Sequence, residues 1–415
     1  MTEVGTSKYY YKCVNCGSEY DASQVRYLCP ACEKTNNNSA PPKGVLKTLY
    51  RYHKLKTKNI TFEKLKKSEF IDLLPVNSIS SFPYLKTGNT PLYRIESLNG
   101  HSLPFKLFLK DDGQNPTYSF KDRASALVSA FAKERGIDTI IAASTGNAGS
   151  SLAGICASQN QKAVIMVPRT APLAKLTQII MYGAKIIPVN GTYDDAFDLS
   201  VKATGIFGWY NRNTAFNPLT VEGKKSVSFE LFAGLNANIP DVIFVPAGDG
   251  VIISGVFKGF EDLLKLGIID KMPLIIAVQA EGSDNLVRNI YGKRFESKPS
   301  ITVADSISVD FPRNFFMTRD YIVRYKGETV TVTDNEIVEA SKTLSRNTGI
   351  FSEPAAAAAF AAMLKYQNTG RLNENSNVVV LLTGSGLKDI KTLEKVIKIP
   401  PPVNPDINEL KNIKI

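Results

Sequence analysis

From residue 105 onward, short unbroken apolar runs alternate with longer stretches in which apolar residues recur at helical spacing. The runs are FKLFL (Phe105 to Leu109), TIIAAS (Thr139 to Ser144), AVIMV (Ala163 to Val167), KIIPV (Lys185 to Val189), DVIFV (Asp241 to Val245), LIIAV (Leu274 to Val278) and VVVLL (Val378 to Leu382). Each predicts a strand buried on both faces. Between them, Lys121 to Arg135 carries Ala124, Leu127, Val128, Phe131 and Ala132 at i, i+3, i+4, i+7, i+8 intervals, which predicts a helix. Further helices are expected from Asn147, after Pro172, from Tyr193, from Ile253 and in the Ala-rich segment before Val378. Strands alternating with helices in this way predict an α/β fold of mostly parallel sheets. In such sheets ligands sit beyond the carboxyl ends of the strands.

The N-terminus follows a different rule. Four of the five cysteines fall in one window, Cys13, Cys16, Cys29 and Cys32, as C-x2-C, twelve residues, C-x2-C. Two such knuckles joined by a small hairpin can place four thiolates around a structural Zn²⁺. Gly17 suits the turn after Cys16, and the alternation in VRYL (Val25 to Leu28) predicts a strand of that hairpin. The module has few apolar residues, so it needs the metal to fold. It reads as a docking or structural unit, with nucleic-acid binding as the other use of such ribbons. EKTNNNSAPPK (Glu33 to Lys43) reads as a linker. Cys156 stands alone in an Ala/Gly-rich helix and reads as a core residue.

Composition narrows the chemistry. Over 415 residues, 43% hydrophobic and 21% charged content permits a large core. Lys plus Arg exceeds Asp plus Glu by 50 to 39, a formal charge of +11 that suits small anionic substrates. The densest basic stretch, Arg51 to Lys67, reads either as a solvated helical face or as an anion-facing patch. With two histidines, His53 and His101, histidine-based triads and metal centres have little to draw on. The longest apolar run, Ala355 to Leu364, is about half the ~20 residues of a membrane span. No export signal is visible, and a cytoplasmic location is expected.

Three loops follow predicted strands. SFKDR (Ser119 to Arg123) places Lys121 at a helix start, unfavourable for a free ammonium near the positive end of the dipole. It is either a surface lysine paired with its neighbours or a lysine held as a Schiff base. STGNAGSS (Ser144 to Ser151) is either an ordinary tight turn or an amide nest for a carboxylate, with Asn147 offering a side-chain donor. PAGDGVIISG (Pro246 to Gly255) sets main-chain donors for a phosphate. It lacks the Lys-Ser/Thr of a Walker loop and the third glycine of a dinucleotide fingerprint. A lysine, a carboxylate nest, a phosphate cradle and the late TGSG loop (Thr383 to Gly386) together describe a pyridoxal-phosphate site.

KTGNTPLYR (Lys86 to Arg94), PTYSFKDRA (Pro116 to Ala124), ASTGNAGSSLAG (Ala143 to Gly154), NPLTVEGKKS (Asn217 to Ser226), VPAGDG (Val245 to Gly250), GIFSEPAAAA (Gly349 to Ala358) and LLTGSGLKD (Leu381 to Asp389) resemble the threonine synthases. These belong to the tryptophan-synthase-β-like, fold-type-II pyridoxal-phosphate enzymes. The resemblance covers residues 86 to 390, and some threonine synthases also carry an N-terminal zinc ribbon. It implies two three-layer open-sheet domains with the cofactor in the cleft. The implied layout is a ribbon at 1–40, a linker and arm at 41–105, a large domain at 106–124 and 221–400, a small domain at 125–220 and a tail at 401–415. It implies that Lys121 forms the Schiff base and shuttles protons. Asn147 would contact the phenolic oxygen. Gly248, Asp249, Gly250, Val251 and Ile252 would cradle the cofactor phosphate, and the Thr383 hydroxyl would face the pyridine nitrogen. Ser144, Thr145 and Asn147 would hold a small anionic amino-acid substrate. The implied reaction converts O-phospho-L-homoserine and water to L-threonine and phosphate in a homodimer, with no membrane or nucleic-acid partner.

Two departures bear on the substrate. Many threonine synthases carry Arg two residues before the Glu-Gly of the LTVEGKK segment, where this chain has Thr220. Arg212, Lys224 or Lys225 would then have to serve the substrate phosphate, and a lysine does not reproduce a bidentate arginine. Asp249 stands where relatives often have Asn, and must point away from a phosphate or cap the loop. The competing expectation is a sibling enzyme, either a β-replacement catalyst of the cysteate-synthase kind or an ammonia-lyase on threonine, serine or diaminopropionate.

Overall fold

The computed structural model describes residues 7–411 except 38, 395, 396 and 398. The N-terminal sheet joins β1 (Tyr9–Cys13), β2 (Glu19–Asp21) and β3 (Leu46–Tyr50), antiparallel in the order β2-β1-β3. The ribbon's sheet therefore reaches past residue 40 to take in β3. The expected VRYL strand is absent. Tyr27 instead turns toward the body of the protein, where its ring stacks on Phe216 at 4.5 Å. Burying that ring outweighs the local alternation.

The next strands are β4 (Leu92–Leu98), β5 (His101–Asp111), β6 (Thr139–Ala143), β7 (Lys162–Pro168), β8 (Lys185–Val189) and β9 (Tyr210–Asn211). They are followed by β10 (Val242–Pro246), β11 (Leu274–Ala280), β12 (Glu328–Val332) and β13 (Asn377–Leu382). A six-stranded sheet has the order β12-β11-β10-β13-β5-β4, parallel except for β4. A four-stranded parallel sheet has the order β8-β7-β6-β9.

The continuous apolar runs are explained by two-sided burial. In β13, Val379 and Leu381 enter one core cluster while Val378, Val380 and Leu382 enter another across the sheet. In β6, Ile140 faces the first cluster and Ile141 and Ala143 a third. A period of two sends alternate side chains to opposite cores, so both must be apolar. The Ala-rich helix Pro354–Asn368 lies against the six-stranded sheet, where small side chains permit close approach. The ribbon's Tyr9, Tyr11, Cys13, Leu46 and Tyr50 belong to the same cluster as the body, so the module has no separate core.

The basic stretch forms two short helices, Tyr52–Thr57 and Phe62–Lys67, with Leu55, Phe62 and Leu65 inward and their lysines exposed. That is the solvated-face reading. Among the described residues, no helix is long and apolar enough to cross a membrane.

Candidate active site

Strands β5 and β13 run parallel and end in register at Asp111 and Leu382, so their following loops meet. Phe120 N donates to Thr383 O at 2.9 Å, Ser385 N donates to Tyr118 O at 3.1 Å, and Ser119 bridges Gly384. This stitching places Lys121 beside the TGSG loop. Its neighbours do not pair with it. Asp122 accepts from Thr117 N at 2.7 Å, and Arg123 Nε and Nη2 grip Asp112 at 2.6 and 2.9 Å. The Lys121 ammonium has no hydrogen-bond or ion-pair partner among the described residues. Burial lowers its pKa, with Glu353 and Asp249 opposing and Arg212 adding to the shift. The reading of a surface lysine paired with its neighbours is thereby overturned.

The helices that begin at the cleft share a feature. Lys121–Lys133, Asn147–Ser158 and Val251–Leu266 have no side-chain N-cap, whereas Tyr193–Phe207 and Asp334–Thr348 have full capping boxes from Thr192 and Thr333. Uncapped first-turn amides are donors for an anion. In the STGN loop, a Cβ at Gly149 would lie 2.5 Å from Ser144 O, so the turn closes tightly only with glycine there. Ser144 Oγ accepts from Gly146 N at 3.2 Å, and Thr145 is partly exposed. The Thr383 side chain is buried and makes no hydrogen bond to a described residue.

Asn147 is held by a residue to which the sequence reading assigned no role. Its Nδ2 donates to Glu353 Oε2 at 2.9 Å, and Ser306 Oγ donates to the same oxygen at 3.2 Å. Glu353 is buried, and its Oε1 is unpartnered. Burial raises its pKa, with Lys121 opposing. The available signal was an acid just before Pro354 at the start of an otherwise apolar helix.

In the cradle, Gly250 adopts φ +85°, and a Cβ there would lie 2.2 Å from Thr318 Oγ1. The helix's first bond is Ser254 N to Gly250 O at 3.1 Å, which leaves the amides from Gly248 to Ile253 without an acceptor among the described residues. Val251 and Ile252 form the helix's first turn, both buried. Asp249 faces away from the amides: its Oδ1 accepts from Arg313 N at 3.0 Å and its carbonyl from Asn314 N at 2.9 Å. It caps the loop, which resolves the conflict between a carboxylate and a phosphate at this position.

Two more cations enter the cleft. Arg212 follows β9 and is buried, with Nε donating to Ser125 Oγ at 3.2 Å and Nη2 unpartnered. Lys224 ends the helix Leu219–Lys224, is 1% exposed and has no partner among the described residues. Burial, Arg212 and Lys121 together push its pKa well below the ordinary lysine value, with Asp249 opposing. Lys225, the other sequence candidate, is spent on Glu222 at 2.6 Å and Asp262 at 2.7 Å. Thr220 makes only local bonds, donating to Asn217 O at 2.7 Å and accepting from Ala215 N at 3.3 Å.

The groups present fit pyridoxal phosphate: an unpaired lysine, open amides at a glycine-tight cradle, and orphaned polar atoms on Glu353 and Arg212. The cysteine cluster fits a tetrahedral zinc. Its four Sγ atoms lie within 4.8 Å of one another, and Cys13–Cys32 and Cys16–Cys29 are each 3.7 Å apart. A tetrahedron of ~2.3 Å Zn–S bonds requires about 3.8 Å between sulfurs. Cys156 is buried away from the cluster, as expected of a core residue.

Residues 84–384 match the family model described as pyridoxal-phosphate dependent enzyme. The threonine synthase of Methanocaldococcus jannaschii is 35% identical over 412 residues, covering 97% of this chain and 98% of that protein. The threonine synthase of Methanosarcina acetivorans is 34% identical over the same extent. Among solved structures, the processed form of threonine deaminase isoform 2 from Solanum lycopersicum superposes with a TM-score of 0.65 at 22% identity, covering 74% of this chain and 82% of that one.

Proposed function

Because the chain belongs to the pyridoxal-phosphate dependent enzymes, within the threonine synthase family, we propose that it converts O-phospho-L-homoserine and water to L-threonine and phosphate. The observation that carries this reading is the pair Arg212 and Lys224, two buried cations beside Lys121 that form no ion pair with any described residue. Burying unpaired charge is costly unless a ligand compensates it. The cofactor phosphate is provided for by the amides from Gly248 to Ile252, so the cations serve a second anion. The substrate's own phosphate, on Cγ, is that anion, and an arginine fork with a lysine point charge suits it. Arg212 thus takes the part for which Thr220 lacks the chemistry.

Pyridoxal phosphate, when bound, supplies an electron sink that stabilises negative charge at Cα and Cβ of the substrate. Lys121 is assigned as its attachment point, Asn147 to its phenolic oxygen and the Thr383 hydroxyl to its ring nitrogen. Glu353 keeps the Asn147 amide oriented. Ser144, Thr145 and the open amides of the STGN loop hold the substrate carboxylate. Lys121, with a pKa lowered by burial, takes the proton from Cα and then one from Cβ. Phosphate departs from Cγ with the bonding electrons, drawn by Arg212 and Lys224. Cγ is then protonated to a methyl group, water adds at Cβ, and Lys121 returns a proton to Cα. The cysteine cluster is assigned a structural zinc.

A substrate panel tests this reading: O-phosphohomoserine should yield equal amounts of phosphate and threonine. Ammonia and 2-oxobutanoate from threonine, with no phosphate release from O-phosphohomoserine, would make it an ammonia-lyase instead.

A further inference from the structure

Two of the ribbon's contacts with the body each lie beside one of the two cleft cations. On one side, Asn211 N donates to Tyr27 Oη at 3.0 Å. Tyr27 lies in the loop between the two cysteine knuckles, and Asn211 directly precedes Arg212. The Tyr27 ring is clamped between Phe216 at 4.5 Å and Tyr210 at 5.9 Å, so its hydroxyl is not free to follow the solvent. On the other side, Tyr50 Oη donates to Glu222 Oε2 at 2.6 Å. Glu222 is two residues before Lys224 on the same short helix. Lys225 is shared between Glu222 and Asp262 and sits 4.2 Å above the Tyr50 ring. Lys47 reaches Glu261 at 2.8 Å from the same strand.

The cysteine cluster holds the start of that strand. Cys29 N donates to Gly44 O at 2.8 Å, Val14 N donates to Val45 O at 3.1 Å, and Cys13 pairs with Leu46. A continuous run of contacts therefore leads from the four thiols through β3 to Tyr50 and the Lys224 helix. A second, shorter run leads through the inter-knuckle loop to Tyr27 and Arg212. A module needed only for solubility or docking has no reason to brace the flank of each cation.

We propose that the four-cysteine ribbon sets the spacing of Arg212 and Lys224, with Tyr27 and Tyr50 as positioning residues, so that metal binding at the ribbon tunes affinity for the phosphate of the substrate. This rests on the reading of Arg212 and Lys224 as the phosphate site. Neither tyrosine touches the reacting atoms. Their effect is on where the cations stand, and misplacement of a charged anchor by a fraction of an ångström weakens binding without altering the proton-transfer machinery at Lys121.

The test uses the cofactor-loaded, zinc-loaded protein and inorganic phosphate as the probe, with its Kd measured by calorimetry alongside kcat and KM for O-phosphohomoserine. Tyr27→Phe and Tyr50→Phe are each expected to weaken phosphate binding roughly three- to tenfold and to raise KM with kcat little changed. Stripping the zinc with a chelator should do the same to phosphate binding. Tyr10→Phe, on the same sheet but away from both contacts, should leave Kd unchanged. If Tyr50→Phe does not fold, Tyr27→Phe carries the test, because its hydroxyl accepts a single hydrogen bond. A phosphate Kd within twofold of the parent in the folded variants and after zinc removal overturns the proposal, provided Arg212→Met still abolishes phosphate binding. If Arg212→Met and Lys224→Met also bind phosphate normally, the phosphate reading of the site fails, and the ribbon's part in it fails too.

Discussion

Lys224 and Lys225 are adjacent in sequence and equally buried, yet they sit in opposite electrostatic regimes. Lys225 lies in a network in which charges balance: Glu222, Asp262 and Lys258 surround it, and Tyr52 Oη donates to Asp262 Oδ1 at 2.6 Å. Lys224 faces the cleft with Arg212 and Lys121 and no ion-pair partner among the described residues. A single step along the chain thus separates a paired cluster that ties the ribbon to the body from an unpaired cluster that awaits an anion. Neither burial nor residue type distinguishes a structural lysine from a ligand-binding one. The presence of a fixed counter-charge does.

The comparison breaks first at Lys121, which has no substitute. Lys121→Ala should lower turnover by at least about 10³-fold and remove the visible absorbance of the bound cofactor. An absorbance maximum that survives the change would remove the basis of the site. Next in size, Arg212→Met or Lys224→Met should reduce kcat/KM for O-phosphohomoserine by about 10²-fold, because a desolvated charge pair loses one partner. Steady-state kinetics with the phosphorylated substrate measure this.

Stability separates the two lysines most directly. Lys225→Met leaves Glu222 and Asp262 with Lys258 as their one remaining ion-pair partner among the described residues and should cost about 3–5 kcal/mol in urea unfolding of the ligand-free protein. Lys224→Met removes an unpaired charge and should be neutral or stabilising by about 1–2 kcal/mol in the same experiment. Equal losses from both variants would contradict the division drawn here. The smallest effect is on acid stability. Burial would raise the Asp262 pKa, but Lys225 and Lys258 overcome it and hold the carboxyl at about 2. A folded pKa below the unfolded value of about 3.9 gives stabilisation that is complete above that value and lost as pH falls toward 2. Melting temperatures between pH 5 and pH 2 should therefore fall more steeply for the parent protein than for Lys225→Met.

Much of the architecture was legible because it rests on short-range rules. A strand buried on both faces must be apolar at every position, so VVVLL and DVIFV announced themselves. The four cysteines were legible because thiolate spacing and tetrahedral geometry leave few alternatives. The loops carrying Asn147 and Gly250 are legible as glycine-rich strand-to-helix turns, and Lys121 by its place at a helix start. VRYL misled, because alternation over four residues cannot reveal that Tyr27 has a better burial site against Phe216 in the turn after β9. Glu353 went unassigned for the same reason, as its partners Asn147 and Ser306 lie 206 and 47 residues away in the chain.

By itself, then, the sequence determined the alternation of elements, the metal-ligand spacing and the set of residues able to do the chemistry, because these depend on residue type and local periodicity. Only the tertiary structure decided which of Arg212, Lys224 and Lys225 is free to meet an anion, and that Asp249 caps its own loop. Those outcomes depend on counter-charges and amides brought together from distant segments. Coulomb energy in a low-dielectric interior follows distance in space, which proximity along the chain does not specify.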